Sequence, residues 1–213
     1  AREIPGLISG GAPRRGLIRQ LLRFGLWTAV TNALTPVFGS LDRFLLGAFR
    51  NMAAVAFYTA PQELVLRLTI LPASLTTTLF PALTTLDARN DVARVRDMYA
   101  RSVRFLSASV GAAAILLVAV GPDLLRVWLG AESAAEAGVA LQFLAVGILI
   151  NAIGYVPSAY LHSINRPDLP AKMHLLELPV FLGLAWLLMP RFGAAGAGAV
   201  WFARATLDTA LLQ

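Results

Sequence analysis

Apolar residues run along most of the chain with brief polar interruptions, in stretches too long for the core of a soluble domain. Six segments, at about 24–49, 53–84, 103–129, 137–163, 173–190 and 194–213, are long enough to cross a hydrocarbon core as helix, which takes about 20 residues. A backbone in lipid must satisfy its own hydrogen bonds, so the options are helices or a closed barrel. These runs are too long and too continuous for barrel strands. The pattern predicts an all-α polytopic membrane protein with six transmembrane helices.

Composition strengthens that reading. Of 213 residues, 57% are hydrophobic and 14% charged, with a mean hydropathy of +0.68. Soluble domains are nearer half apolar and a quarter charged, and a globular surface could not hide the excess. The absence of cysteine decides nothing about compartment. The first residue is Ala1 and no signal peptide precedes the spans, so the chain reads as part of a longer protein. Residues 1–22 are rich in Gly, Pro and Arg and read as a cytoplasmic linker. It ends in a short interfacial helix with Arg19 and Arg23 at the lipid surface. Residues 23–213 form the transmembrane body.

The net charge of +6 would suit nucleic acid if the cations shared one soluble face. They do not. Arg2, Arg14, Arg15, Arg19 and Arg23 lead the chain, Arg89, Arg94, Arg96, Arg101 and Arg104 follow the second span, and Arg166 and Lys172 follow the fourth. The alternate connections hold only Arg50, Arg126 and Arg191. This bias is the positive-inside pattern. It puts the N-terminus, the 85–103 and 163–172 loops and the C-terminus in the cytoplasm, and it excludes nucleic acid as a partner.

The 85–103 loop carries charges at helical spacing, including Asp97 and Arg101 at i,i+4, and reads as an interfacial helix leading into the third span. Trp27, Tyr58, Trp128, Tyr160 and Trp186 fall near span ends, where aromatic belts form. Gly193, Ala197 and Gly198 suit close helix packing. Pro36, Pro61, Pro72, Pro157 and Pro179 lie within spans. Each removes a backbone donor and favours a kink, a device of helices that bend or line a cavity.

Three spans each carry an acid and a base: Asp42 and Arg43, Glu63 and Arg67, Arg204 and Asp208. A charge at mid-bilayer costs roughly 3 kcal/mol on insertion scales, so six must be paired or wetted. The first two spans form a hairpin turning near Asn51 to Ala53. Asp42 and Arg43 lie some ten residues before that turn and Glu63 some ten after it, about 15 Å deep at 1.5 Å per residue. Arg43 and Glu63 can therefore meet across the hairpin. Arg67 is one turn beyond Glu63 on the same face, in the favourable order for an i,i+4 pair, and Arg204 and Asp208 share a face in the same way. Two readings stay open. The six charges could neutralise one another and fix helix packing. Alternatively, the arginines line a wet cavity for a phosphate-bearing ligand, which their planar forks suit, while the acids exchange a cation or proton. Asn32, Gln142, Asn151 and Tyr155 add uncharged polar groups.

No enzyme constellation is present. His162 and His174 stand near the cytoplasmic interface without metal-like spacing, and there is no phosphate-binding P-loop or nucleophile elbow. No cofactor is implied.

The segments "FGLWTAVTNALTPVFGSLDRFLLGAF" and "VAFYTAPQELVLRLTILPASLTTTLFPAL", followed by "LLRVWLG", "LHSINRPDLPAKMHLLELPVFL" and "PRFGAAGAGAVWFARATLDTALL", carry a resemblance over residues 17–213. The chain resembles the polysaccharide, O-antigen-type flippases of the multidrug/oligosaccharidyl-lipid/polysaccharide exporter superfamily, and specifically their C-terminal six-helix lobe. The resemblance implies one lobe of a two-lobe transporter in the bacterial inner membrane, with the other six-helix lobe as partner. It implies translocation of undecaprenyl-diphosphate-linked oligosaccharide through a central cationic cavity, with a proton or sodium ion coupled to transport. Asp42, Arg43, Glu63, Arg67, Arg204 and Asp208 match recurrent elements of that family and are the candidate cavity residues. A multidrug exporter of the same superfamily is the alternative within transport, although acids matched by arginines favour an anionic substrate. A membrane enzyme of polysaccharide assembly would show a large outer loop with catalytic groups, and the outer loops are short. A structural subunit would keep all six charges paired and dry.

Overall fold

A computed structural model describes residues 15–213; of the expected linker and entry helix at 1–22, residues 1–14 lie outside the described residues. The described chain is helical throughout: α1 (Arg15–Phe49), α2 (Met52–Leu66), α3 (Ile70–Ala88), α4 (Val92–Leu129), α5 (Ala131–Ser163) and α6 (Asp168–Leu212). A short 3-10 turn, Arg67–Thr69, joins α2 to α3 into one bent element. Among the described residues, four helical stretches are long and apolar enough to cross a membrane: Met52–Ala88, Val92–Trp128, Ala134–Ser163 and Asp168–Leu212. The outward faces bear Phe44, Ile115, Leu116, Val127 and Trp186, all strongly exposed. Such surface suits lipid as its solvent. The protein is a multi-pass membrane protein.

Local chemistry sets the reversals. Asn51 caps α2, its side-chain oxygen accepting from Ala54 N at 2.9 Å, and Asp91 caps α4 from Arg94 N at 3.1 Å. Such caps satisfy amides that the first helical turn leaves unpaired. The bend between α2 and α3 has its cause at Pro72, which has no N–H to offer the Leu68 carbonyl. The Ile70 N–H turns to the carbonyls of Arg67 and Leu68 instead, and Thr69 Oγ1 donates to Leu66 O at 2.7 Å. Pro36 and Pro157 lie inside helices that continue without interruption.

The element α6 covers 45 residues and is two helices joined at a kink at Gly193, between the expected spans 173–190 and 194–213. A straight helix of that length would measure about 68 Å, twice a bilayer core. It is not straight. Gly193 has φ 55° and ψ −129°, a conformation that side chains resist. A Cβ placed on Gly196 would lie 2.5 Å from the Leu188 carbonyl oxygen, although eight residues of straight helix span about 12 Å. The chain folds back on itself, giving two antiparallel arms on either side of Gly193. Arg50, at the α1–α2 turn, donates from Nη2 to the Arg191 carbonyl at 3.4 Å and ties the two turns together.

At the centre lies α5, packed against α6, α4, α2 and α3. Its inner face is small: Ala137, Ala140, Ala145 and Ala152 are fully buried, and Gly147 and Gly154 back onto Trp201 and Thr209. Small residues let two backbones approach closely, which is how helices associate where burial from water gives no drive. Thr209 Oγ1 closes the contact by donating to Ile150 O at 2.9 Å.

Candidate functional site

Helical spacing on α1 brings Phe38, Asp42 and Leu46 onto one buried face. Asp42 is completely buried, whereas its neighbour Arg43 keeps 33% of its side chain exposed. The two do not pair directly. Tyr58 OH donates to Asp42 Oδ2 at 2.6 Å, and Gln62 Nε2 donates to the same oxygen at 3.0 Å. Gln62 then accepts at Oε1 from Arg43 Nε at 2.8 Å, while Arg43 Nη2 donates to Glu63 Oε1 at 2.7 Å. The chain runs Tyr58, Asp42, Gln62, Arg43, Glu63 across the hairpin of α1 and α2. The predicted meeting of Arg43 and Glu63 is present within it. Two members, Tyr58 and Gln62, escaped the sequence reading: Tyr58 was expected in an interfacial belt but is fully buried. Its spacing of four from Gln62 is the signal that could have revealed the pair.

The i,i+4 pair of Glu63 with Arg67 does not form. Glu63 is engaged by Arg43, and Arg67 opens the 3-10 turn with an exposed side chain. No ion pair to Arg67 is present among the described residues.

Arg204 and Asp208 do not pair with each other either; both turn to the opposite arm of α6. Arg204 Nη1 lies 3.7 Å from Glu177 Oε2, and His174 Nδ1 lies 3.5 Å from Asp208 Oδ1 and 3.8 Å from Glu177 Oε1. His174, expected near the cytoplasmic interface, and Glu177, which is not among the six candidates, thus share a site with Arg204 and Asp208. The signal was there in "HLLELP", which puts both on one face of the fifth predicted span. The α1 face closes this pocket: the Arg204 guanidinium sits 4.8 Å above the Phe38 ring, and Phe38 meets His174 and Phe181 edge-on. The charge of Arg204 also reaches Asp42 one turn along.

The two clusters differ in how completely they are satisfied. Asp42 keeps one oxygen, Oδ1, without a hydrogen bond. Between the arms of α6, His174 Nδ1, both Glu177 oxygens, Asp208 Oδ1 and Arg204 Nε are all buried without one. Separately, a cavity of about 450 Å³ opens between α1, α3 and α5, lined by Phe24, Thr76, Phe80, Tyr155, Ser158 and His162 among others. None of the six candidate charged residues lines it.

The sequence model of a family described as "Polysaccharide biosynthesis protein" matches residues 12–135, more than half of the chain. The chain belongs to that family. It is 28% identical over 195 residues to a Shigella flexneri protein named "Putative O-antigen transporter", covering 92% of this chain and 46% of that protein. It is 22% identical over 207 residues to a Haloferax volcanii protein named "Probable flippase AglR", covering 96% of this chain and 43% of that one. The chain therefore spans less than half the length of the curated relatives it matches. No solved structure gives a significant match. The family and both relatives support the kinship with polysaccharide flippases read from the sequence.

Proposed function

We propose that the chain is one lobe of a flippase that carries undecaprenyl-diphosphate-linked oligosaccharide across the bacterial inner membrane for polysaccharide export. In this reading α1, the bent element Met52–Ala88, α4, α5 and the two arms of α6 are the six crossings. A second six-helix lobe completes the cavity, the N-terminal end is cytoplasmic, and an ion gradient of protons or sodium drives transport. The names of the two relatives, one an O-antigen transporter and the other a flippase, support the substrate class. Flipping needs binding and reorientation, not bond making, so no catalytic group is assigned.

The observation that carries the proposal is the exposed row Arg43, Glu63 and Arg67 along the hairpin. Arg67 lies 16 residues beyond Asn51, about 24 Å from the turn at helical rise. At that depth its side chain can reach the far interface, but the partly exposed Arg43 and Glu63, about 15 Å from the turn, lie near mid-bilayer, where charge facing acyl chains is costliest. They belong beside a wet space, which one lobe alone cannot enclose. Arg43 uses two of its five N–H donors within the chain, leaving others for a diphosphate.

The test is export by the full-length protein carrying Arg43→Ala, Arg67→Ala or Arg204→Ala. Loss of surface polysaccharide with unchanged membrane content is expected of each. Normal surface glycan in all three would overturn the cationic-cavity reading.

A further inference from the structure

The cavity between α1, α3 and α5 is lined by several residues able to hydrogen-bond, yet almost all of its exposed wall is carbon. The cause is local. Thr76 Oγ1 donates to Pro72 O at 2.8 Å and Thr77 Oγ1 to Ser74 O at 2.7 Å, while His162 Nδ1 is joined to Ser158 O at 2.8 Å. With their hydroxyls turned to their own helix, the threonines offer methyl groups, and Phe24, Phe80 and Tyr155 offer rings. Among the described residues, no aspartate, glutamate, lysine or arginine lines the cavity. Its chemistry suits an apolar ligand.

Its place in the bilayer narrows the choice. Phe24 and Thr76 lie on opposite sides of the Asn51 turn in the chain, each about 40 Å from it at helical rise. A hydrocarbon core is about 30 Å thick and the α2–α3 element is bent, so the cavity stands where hydrocarbon meets headgroups, at the end of the lobe away from that turn. Arg166 follows His162 by four residues and is held at the end of α5 by the bond from its backbone N–H to Leu161 O at 2.9 Å. Its side chain is half exposed and gives Nε to Asp168, and the guanidinium fork has further N–H donors. An apolar cavity at the boundary, with a cation beyond its outer end, fits an amphiphile whose chain ends in phosphate.

We propose that the cavity holds the first isoprene units of a polyprenyl diphosphate, with the diphosphate toward Arg166. This rests on the flippase reading and gives the carried lipid a docking point on this lobe, separate from the charged row on the hairpin. A volume of about 450 Å³ takes roughly three such units at the packing of an organic liquid. A prenyl chain suits the site better than a fatty acyl chain. Its double bonds leave fewer rotamers to lose on binding, and its flat, methyl-bearing units lie well against aromatic rings. Docking makes and breaks no covalent bond.

The test is photolabelling of the full-length protein in lipid nanodiscs with farnesyl diphosphate carrying a diazirine in its first isoprene unit, the labelled residues being mapped by mass spectrometry. Labelling of Phe24, Phe80 or Tyr155 is expected, reduced about tenfold by excess undecaprenyl phosphate and unchanged by excess phosphatidylglycerol. Thr77→Trp, at an exposed residue of the lining, should fill the cavity and reduce labelling by a similar factor. Phe80→Ala, which removes one ring, is the second variant if that protein does not fold, and it should also weaken labelling. Displacement by phosphatidylglycerol as readily as by undecaprenyl phosphate would mark an acyl-chain site and overturn the proposal. So would a cavity left unlabelled, the result expected if the second lobe fills it. Surface polysaccharide is scored separately in a strain lacking the protein: a labelled cavity with export intact sinks the flippase reading alone, and lost export with an unlabelled cavity sinks the docking point alone.

Discussion

Removing one hydroxyl, in Tyr58→Phe, tests whether the chain of hydrogen bonds between α1 and α2 holds the hairpin together. Tyr58 and Asp42 are both fully buried, and the bond between them is 2.6 Å. Without it, Asp42 Oδ2 keeps only Gln62, while Oδ1 has no partner to begin with. A hydrogen bond to a charged group contributes about 1.5–3 kcal/mol. Because the acceptor stays buried and loses a donor, we expect a cost of about 2–3 kcal/mol, a drop of roughly 30- to 150-fold in the folded-to-unfolded ratio. The assay is reversible unfolding in mixed micelles with rising dodecyl sulfate, followed by tryptophan fluorescence, since Trp201 is buried in the core. A double-mutant cycle with Asp42→Ala isolates the pair. With Asp42 gone, the Tyr58→Phe cost should shrink to about 0.5 kcal/mol or less, because neither variant then strands a charge. Costs that add to within about 0.3 kcal/mol would refute the reasoning, since the hydroxyl would then be stabilising something other than the carboxylate.

Two glycine substitutions probe the packing that positions the site. Gly147→Ala would bring a methyl group 2.7 Å from the Trp201 ring; such overpacking costs about 1–3 kcal/mol and should lower the thermal midpoint of the purified protein, with an unchanged midpoint counting against the close approach of α5 and α6. Gly193→Ala meets no neighbouring atom closer than 3.6 Å, so its cost of about 1–3 kcal/mol is one of backbone strain. Faster hydrogen exchange confined to residues flanking the turn would show it, and exchange equal to wild type would refute the fold-back.

The parts of the site that were legible in the sequence depended on counting from a visible turn. Arg43 and Glu63 were paired because both lie some ten residues from the Asn51 reversal, and depth follows directly from helical rise. Asp97 and Arg101 were paired by spacing alone and stand 2.7 Å apart. Where a rule of one helix competed with a contact between two, the contact won: Glu63 took Arg43 over Arg67, and Arg204 took Glu177 over Asp208. Spacing along one helix cannot rank those partners, because the choice depends on the register of the neighbouring arm, fixed here at Gly193. Tyr58 and Gln62 were hidden for another reason. Uncharged polar side chains are ordinary in membrane helices, and only the buried Asp42 beside them makes them donors that it requires. The all-helical class was readable from hydropathy, and the reversal within α6 falls at Gly193, between the fifth and sixth predicted spans.

The 3-10 joint at Arg67–Thr69 begins four residues after the last link of the hydrogen-bonded chain, Glu63. On one side of it, α2 is clamped to α1 by directional bonds that tolerate little sliding. On the other, α3 meets α5 and α4, and its described hydroxyl bonds run back to its own backbone, as in Thr76, Thr84 and Thr85. The bonds that cross to α1 therefore end before the joint, and among the described residues α3 is held by packing against α5 and α4 instead.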